Sequence, residues 1–224
     1  MKKFLCISFV SAVLVPLSAH SNTIYIKGDT VNPGDVNEAA IYFNGNINYQ
    51  TVTWLLSSLA DLHANYRNIK YVDVYLNSEG GDMDSGYVAF EALRKSPMKL
   101  NMINTAMVAS SASMIYCAAD DRYAMPMSTF VLHPAAAGNE KDDYLKPDQA
   151  RRILDDAENY NSMFRAIYAG CTKIPADEIK KITSSETDRA VYKVDEAIRK
   201  GLVTRGIKET HSYPVTYYIT DLQS

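Results

Sequence analysis

The chain has 224 residues, of which 47% are hydrophobic and 22% charged, and its formal net charge is −3. These values are ordinary for a globular protein of one large or two small domains. The sequence has no basic block. It therefore lacks the electrostatic footprint of a nucleic-acid-binding protein, and we expect no nucleic-acid partner.

The N-terminus predicts a signal peptide. Two lysines precede the apolar run FLCISFVSAVLVPLSA, and small residues occupy positions Ala19 and Ser21. This order is typical of secretory signals, with cleavage after Ser21. A membrane anchor is the alternative, but the uncharged stretch is short for a spanning helix, which needs about 20 residues. We therefore predict residues 1–21 as a signal peptide, residues 22–224 as one domain without a membrane span, and export to the periplasm or the medium.

Export leaves two cysteines, Cys117 and Cys171, in the mature chain. An oxidising compartment makes a disulfide between them possible. Both lie in helix-like stretches with apolar neighbours, however, which favours two buried thiols over a disulfide. The sequence alone leaves their pairing open.

The rest of the chain alternates between strand-like and helix-like segments. The β-rich runs TIYIKG and AAIYFNG precede a helical pattern over 48–65. Then come the strand YVDVYL, the helix MDSGYVAFEALRK, the strand MKLNMIN, the short helix SASMIYCAA and the strand STFVLH. A polar loop leads to an amphipathic helix over 148–169 and to the helices PADEIKKI and KVDEAIRKG. This alternation predicts an α/β fold with largely parallel strands in one domain.

The stretch MVASSASMIY offers three serines at the start of a predicted helix. A nucleophilic serine needs a base and N–H donors for the oxyanion, and a helix N-terminus supplies free N–H groups. Ser110 ranks first because small residues precede it and the helix begins there. The Ser111 N–H can point the same way, whereas the hydroxyl of Ser113 is placed to bond back to a preceding carbonyl. The alternative is a plain helix cap followed by two tolerated serines.

Four histidines are candidates for the base. His20 leaves with the signal peptide, His63 lies on the first long helix, and His211 lies in a predicted loop near the C-terminus. His133 ends a strand after the serine helix, where parallel α/β folds place site residues. We therefore choose His133, although a lone histidine at a strand end is more often structural.

A glycine turn, NSEGGDMDSG, completes the set of motifs. Its glycines permit unusual dihedral angles and leave N–H groups open to a ligand. The turn lacks the lysine and the Ser/Thr of a phosphate-binding loop.

At these residues the sequence resembles the Clp protease proteolytic subunit family, the serine peptidases of the crotonase-like fold, and especially its phage and prophage members. The similar motifs, from about Ala40 to Val203, are YVDVYLNSEGGDMDSG, AMVASSASMIYCAADDRYAMPMSTFVLHPA and SSETDRAVYKVDEAIRKGLV. The resemblance implies an α/β, ClpP/crotonase-like spiral of β-β-α units with a protruding handle helix. We expect no cofactor and no metal.

The resemblance also implies the site residues. The family's nucleophile falls on Ser110, its general base on His133 and its orienting acid on Asp188. Its oxyanion N–H groups fall on Gly81 and Ser111. Reasoning from the residues alone does not single out Asp188, which would otherwise be read as a surface or capping aspartate.

The chain departs from the family pattern in its N-terminus and at Val108, two residues before the nucleophile. Val108 is bulkier than the family's residue, and we expect it to narrow the substrate cleft. The resemblance implies a homo-oligomeric ring that cleaves peptides or unfolded proteins. The family's well-known members work with an ATP-driven unfoldase, but an exported copy has no ATP supply, which argues against that partnership.

Three alternatives compete with this hypothesis. A Ser-Lys peptidase of the signal-peptide-peptidase branch would need a lysine aimed at the serine, and the His133 and Asp188 motifs speak against it. A crotonase-type acyl-CoA enzyme would need an acidic pair or an adenine-binding feature, which the sequence does not show. A catalytically inactive scaffold or assembly factor of the cell envelope is the third, and the intact triad argues against it.

Overall fold

The computed structural model describes residues 23–27, 31–138 and 144–221. The signal peptide expected at residues 1–21 and its cleavage point lie outside these ranges. Within them, no helix combines the length and the apolar character needed to cross a bilayer.

Strands and helices alternate through most of the described chain. The strands are β1 (Thr23–Lys27), β2 (Glu38–Asn44), β3 (Tyr71–Ser78), β4 (Lys99–Ala109), β5 (Asp121–Ala124), β6 (Thr129–Leu132), β7 (Ala190–Lys193) and β8 (Val215–Thr220). The helices are α1 (Tyr49–Asn65), α2 (Met83–Arg94), α3 (Ser111–Tyr116), α4 (Pro147–Cys171), α5 (Ala176–Ile182) and α6 (Val194–Arg199), with 3₁₀ turns at Pro33–Asp35 and Glu186–Asp188. This confirms the predicted α/β fold.

These strands form one sheet in the order β1-β8-β2-β3-β4-β6-β7, and β5 also pairs with β4. The strands from β8 to β6 run parallel, whereas β1 and β7 are antiparallel to their neighbours. The long strand β4 pairs with β5 through its first half and with β6 through its second half. The pairing of β4 with β3 changes register between Leu76 and Ser78 of β3, and this shift separates the two halves of β4. β4 thus carries the chain from the main sheet to the β6–β7 corner, where the candidate site lies.

Helix α4 fits the protruding handle that the resemblance implies. Its buried residues, Asn161, Phe164, Ile167 and Tyr168, all lie in its C-terminal half. Leu154, in the N-terminal half, is 67% exposed. The helix is therefore anchored at one end and extends away from the core at the other.

Three of the strands are not predicted from the sequence. β5 and β7 are only four residues long, and β8 lies in the C-terminal segment 215–220, for which no element is predicted from the sequence. A four-residue segment offers little periodicity, and β6, which is equally short, is predicted only as part of the longer run STFVLH. β8 pairs with β1 and β2, which lie at the other end of the sequence. Only the folded chain brings these partners together.

The structure corrects the interpretation of Cys117 and Cys171 as two thiols. They form a disulfide across 54 residues, with Cα atoms 5.6 Å apart. Cys117 ends α3 and Cys171 ends α4. The sequence showed two cysteines in helical stretches, but it did not show that the two helix ends meet at the spacing that a disulfide requires.

Candidate active site

Ser110 occupies a strained turn between the end of β4 and the start of α3. Its φ is 51° and its ψ −133°, and no other non-glycine residue among the described ranges has a positive φ. Such a conformation costs on the order of 1–3 kcal/mol and persists only where the surroundings hold it. The Ser110 N–H donates to the Val131 carbonyl at 3.3 Å. The Ser110 side chain makes no capping hydrogen bond, so its hydroxyl remains available.

The Ser110 carbonyl is held from the following turn of α3. The N–H of Ser113 donates to it at 2.9 Å and the hydroxyl of Ser113 at 2.5 Å. The prediction that Ser113 bonds back to a preceding carbonyl is thus confirmed. The same hydroxyl lies 2.7 Å from the phenol of Tyr168 on α4, a residue that sequence reasoning did not connect to the site.

Of the two glycines of the turn after β3, Gly80 lies against the Ser110 turn and Gly81 lies against Ile47. A Cβ on Gly80 would lie 2.5 Å from Ser110 Cβ and 3.1 Å from the Ser111 nitrogen, and one on Gly81 would lie 2.2 Å from the Ile47 carbonyl oxygen. Both glycines also have positive φ, 101° and 147°. Only glycine permits this close approach at these dihedral angles.

The two expected oxyanion donors are Gly81 and Ser111. Among the described residues, the Gly81 N–H has no hydrogen-bond partner. Ser111 is the first residue of α3, where a backbone N–H has no acceptor within the helix. The backbone of the glycine turn and the tip of α3 therefore offer free donors on elements that meet at Ser110.

His133 follows β6, the strand next to β4. Because β4 and β6 are parallel, with Ala109 opposite Val131, both strands end at the same edge of the sheet. This shared edge brings Ser110 and His133 to one region. The His133 side chain is 26% exposed. Within the described ranges, no hydrogen bond joins it to the Ser110 hydroxyl.

The 3₁₀ turn Glu186–Asp188 precedes β7, whose first residue Ala190 pairs with Leu132 at the end of β6, so the turn lies near His133. Oε2 of Glu186 lies 3.5 Å from Nδ1 of His133. Oδ1 of Asp188 lies instead 3.4 Å from Nζ of Lys181. Between these described residues, no ion pair joins Asp188 to His133. In this conformation the carboxylate beside the imidazole is thus Glu186.

Sequence reasoning missed Glu186. Its signal was the motif SETD, which puts two carboxylates on one short turn. Glu186 is 61% exposed and also contacts Nη1 of Arg189 at 3.0 Å. Ion pairs at such exposed positions typically stabilise a protein by less than about 1 kcal/mol. The ion pairs of Glu186 and Asp188 therefore hold the turn only weakly.

The remaining sequence candidates lie elsewhere. His63 is exposed on α1, and Nε2 of His211 lies 3.3 Å from a carboxylate oxygen of Glu38 on β2. Val108 does not narrow the cleft, contrary to expectation, because its side chain is fully buried in the hydrophobic core. Nearer the nucleophile, small residues do line the turn.

The chain is similar to proteins of one family over most of its length. The Clp protease family model matches residues 34–210. The ATP-dependent Clp protease proteolytic subunit 3 of Rhizobium johnstonii is 31% identical over 169 residues, which are 74% of this chain and 82% of that protein. Subunit 2 of Pseudomonas aeruginosa is 31% identical over 135 residues, 59% of this chain and 63% of that protein.

The fold is similar to a solved structure as well. A ClpP1 mutant from Listeria monocytogenes superimposes with a TM-score of 0.64 at 18% identity, covering 76% of this chain and 91% of that one. This likeness confirms the ClpP/crotonase-like fold expected from the sequence motifs.

Proposed function

Because the chain belongs to the Clp protease family and is a serine-type peptidase, we propose that it hydrolyses short or unfolded peptides through Ser110, His133 and Asp188. The observation that carries the proposal is the turn at Ser110, whose φ of 51° is unusual for a residue other than glycine. Strain of this kind clusters at active sites, where it serves a mechanism. The turn holds a free hydroxyl at the tip of α3, beside the glycine turn.

In the proposed reaction, Oγ of Ser110 attacks the carbonyl carbon of the peptide and its proton passes to His133. The N–H groups of Gly81 and Ser111 donate hydrogen bonds to the resulting oxyanion. His133 then gives the proton to the leaving amine, and a water molecule hydrolyses the acyl-enzyme by the same steps. Removing one oxyanion donor typically costs about 2.7–4 kcal/mol of transition-state stabilisation, so the backbone geometry contributes to the rate together with the triad.

The mechanism needs a carboxylate on Nδ1 of His133 to fix the tautomer of the imidazole. The resemblance assigns this role to Asp188, which must then take the place that Glu186 holds at 3.5 Å. In this structure Oδ1 of Asp188 lies 3.4 Å from Nζ of Lys181, whose side chain is 72% exposed. Since exposed ion pairs are worth less than about 1 kcal/mol, the contact between Asp188 and Lys181 opposes the exchange only weakly.

The proposal includes assembly into a homo-oligomeric ring, as the family's members generally form. Exposed apolar side chains on the N-terminal half of α4 and just before it support this assembly. Leu154 is 67% exposed and Tyr144 is 90% exposed. Apolar side chains at these positions suit contact with another copy. Native mass spectrometry of the mature protein should give a defined multiple of the subunit mass, and a monomer at all concentrations would contradict the ring.

The proposal also places the protein outside the cytoplasm, without an unfoldase. The disulfide between Cys117 and Cys171 supports this, because disulfides persist in oxidising compartments. The names of the relatives describe them as ATP-dependent, but an exported copy has no ATP supply. An intact mass that begins at Asn22, measured on the periplasmic or secreted fraction, would support export. A cytoplasmic protein that retains Met1 would contradict it.

The decisive experiment compares the wild type with Ser110→Ala. We expect a fluorophosphonate probe to label the wild type, and the wild type to cleave members of a peptide library. The variant should assemble normally but neither label nor cleave. A folded, assembled wild type that does neither would overturn the proposal in favour of an inactive envelope scaffold or assembly factor.

A further inference from the structure

Tyr168 and Ser113 form a buried chain of hydrogen bonds behind the nucleophile turn. Oγ of Ser113 lies 2.7 Å from the Tyr168 hydroxyl and 2.5 Å from the carbonyl oxygen of Ser110. Both side chains are fully buried. A carbonyl oxygen only accepts, so the single hydroxyl proton of Ser113 goes to Ser110. The Tyr168 hydroxyl must therefore be the donor to Ser113.

This chain ends on the peptide unit that carries the proposed oxyanion donor. The carbonyl of Ser110 and the N–H of Ser111 belong to the same planar, trans peptide, so they point in opposite directions. Fixing the carbonyl oxygen therefore fixes the direction of the N–H. Hydrogen bonds to the oxygen also polarise the peptide and strengthen its N–H as a donor.

We infer that Tyr168 and Ser113 are positioning residues that hold the Ser111 N–H toward the oxyanion, an inference that rests on the proposed function. Their contact connects α4 to the tip of α3. The ring of Tyr168 is itself held, because it stacks on Phe164 with centroids 5.3 Å apart. Burial raises the pKa of the Tyr168 phenol, which keeps its proton available for donation.

A purely structural role would lower stability without changing the chemical step, and Tyr116 provides the matched control. Tyr116 is also fully buried, and it lies on the same short helix α3. Its hydroxyl donates to the Tyr123 carbonyl at 2.8 Å. Tyr116→Phe therefore removes a similar buried hydrogen bond from the same helix without touching the peptide between Ser110 and Ser111.

The experiment compares Tyr168→Phe, Ser113→Ala, their double variant and Tyr116→Phe with the wild type. The readouts are kcat and KM for a fluorogenic peptide and the second-order rate of fluorophosphonate labelling, all on folded, assembled protein. We expect Tyr168→Phe and Ser113→Ala to lower kcat about 10- to 100-fold with little change in KM, less than the about 100- to 1000-fold of losing a donor outright. The labelling rate should fall in parallel.

The double variant should be no slower than Ser113→Ala, because both residues act through one carbonyl. Tyr116→Phe should retain the wild-type kcat. A wild-type kcat in Tyr168→Phe, an equal loss in Tyr116→Phe, or multiplying losses in the double variant would each overturn the inference. If Ser113→Ala does not fold, Tyr168→Phe decides alone, since it keeps the ring and its stacking on Phe164.

The two proposals fail differently. A wild type that neither labels nor cleaves overturns the proposed function and this inference together. An active wild type with an equally active Tyr168→Phe variant overturns only the positioning role.

Discussion

The two halves of the candidate site are held in different ways. On the nucleophile side, Ser110 is backed by Ser113 and Tyr168, whose side chains are fully buried. On the base side, the carboxylates of Glu186 and Asp188 are 61% and 37% exposed. A buried polar group that loses its partner costs about 1–3 kcal/mol. An exposed ion pair is worth about 0–1 kcal/mol. Folding alone therefore fixes the first half but leaves the second adjustable.

This difference separates two requirements of the proposed chemistry. The oxyanion donors must be in place before charge develops, because a preorganised dipole costs no reorganisation during the reaction. The orienting carboxylate can arrive later, with a substrate or with a neighbouring copy. We thus expect assembly to change the position of the carboxylates on the base side. The geometry of the nucleophile side should be the same in a single subunit and in the assembly.

The largest effect should come from removing the correct carboxylate of the base side. If Asp188 orients His133 in the working enzyme, Asp188→Asn should lower kcat about 10⁴-fold. Loss of the triad aspartate has an effect of this size in a serine protease with the same triad. The matched variant Glu186→Gln should change kcat far less. Steady-state kinetics of both variants, with fold and assembly checked, make this comparison.

The reverse ranking is equally informative. A large loss in Glu186→Gln with an active Asp188→Asn would show that the 3.5 Å contact of Glu186 with His133 is the working one. It would also mean that the base side needs no rearrangement. This would contradict our expectation that only the nucleophile side is fixed by folding alone.

A smaller effect is expected from breaking the covalent link behind the nucleophile side. Cys117→Ala combined with Cys171→Ala removes the disulfide that joins the ends of α3 and α4. The free energy of unfolding should fall by about 2–4 kcal/mol, the usual range for a native disulfide. Urea denaturation of the variant, beside oxidised and reduced wild type, measures this loss.

The kcat of the folded double alanine variant should remain close to that of the wild type, because Ser113, itself bonded to Tyr168, still donates to the Ser110 carbonyl. A drop in kcat as large as that of Tyr168→Phe would contradict this. It would add the disulfide to the features that position the nucleophile.

The smallest effect concerns Lys181, the present partner of Asp188 at 3.4 Å. Lys181→Ala should change stability by less than about 1 kcal/mol. Because it frees the carboxylate, kcat/KM should stay constant or rise by at most about fivefold, the equivalent of about 1 kcal/mol. Lys180→Ala, the neighbouring change on α5, is the control. A large loss of activity in Lys181→Ala alone would mean that the lysine belongs to the working site.

The sequence by itself indicated the parts of the site that depend on short-range features. Small residues before a helix start pointed to Ser110, and a histidine at a strand end pointed to His133. The strands and helices that carry them were recognisable because hydrophobic periodicity acts over neighbouring residues. Resemblance to a family added Asp188, Gly81 and the ring, none of which composition or spacing could supply.

The tertiary structure decided which distant groups meet. It paired Cys117 with Cys171 and brought Tyr168 to Ser113. It placed Glu186, rather than Asp188, beside the imidazole of His133. It also joined the short strands β5, β7 and β8 to the sheet. Local propensity cannot specify such contacts, because each depends on how helix ends and strand edges from remote parts of the chain pack against one core.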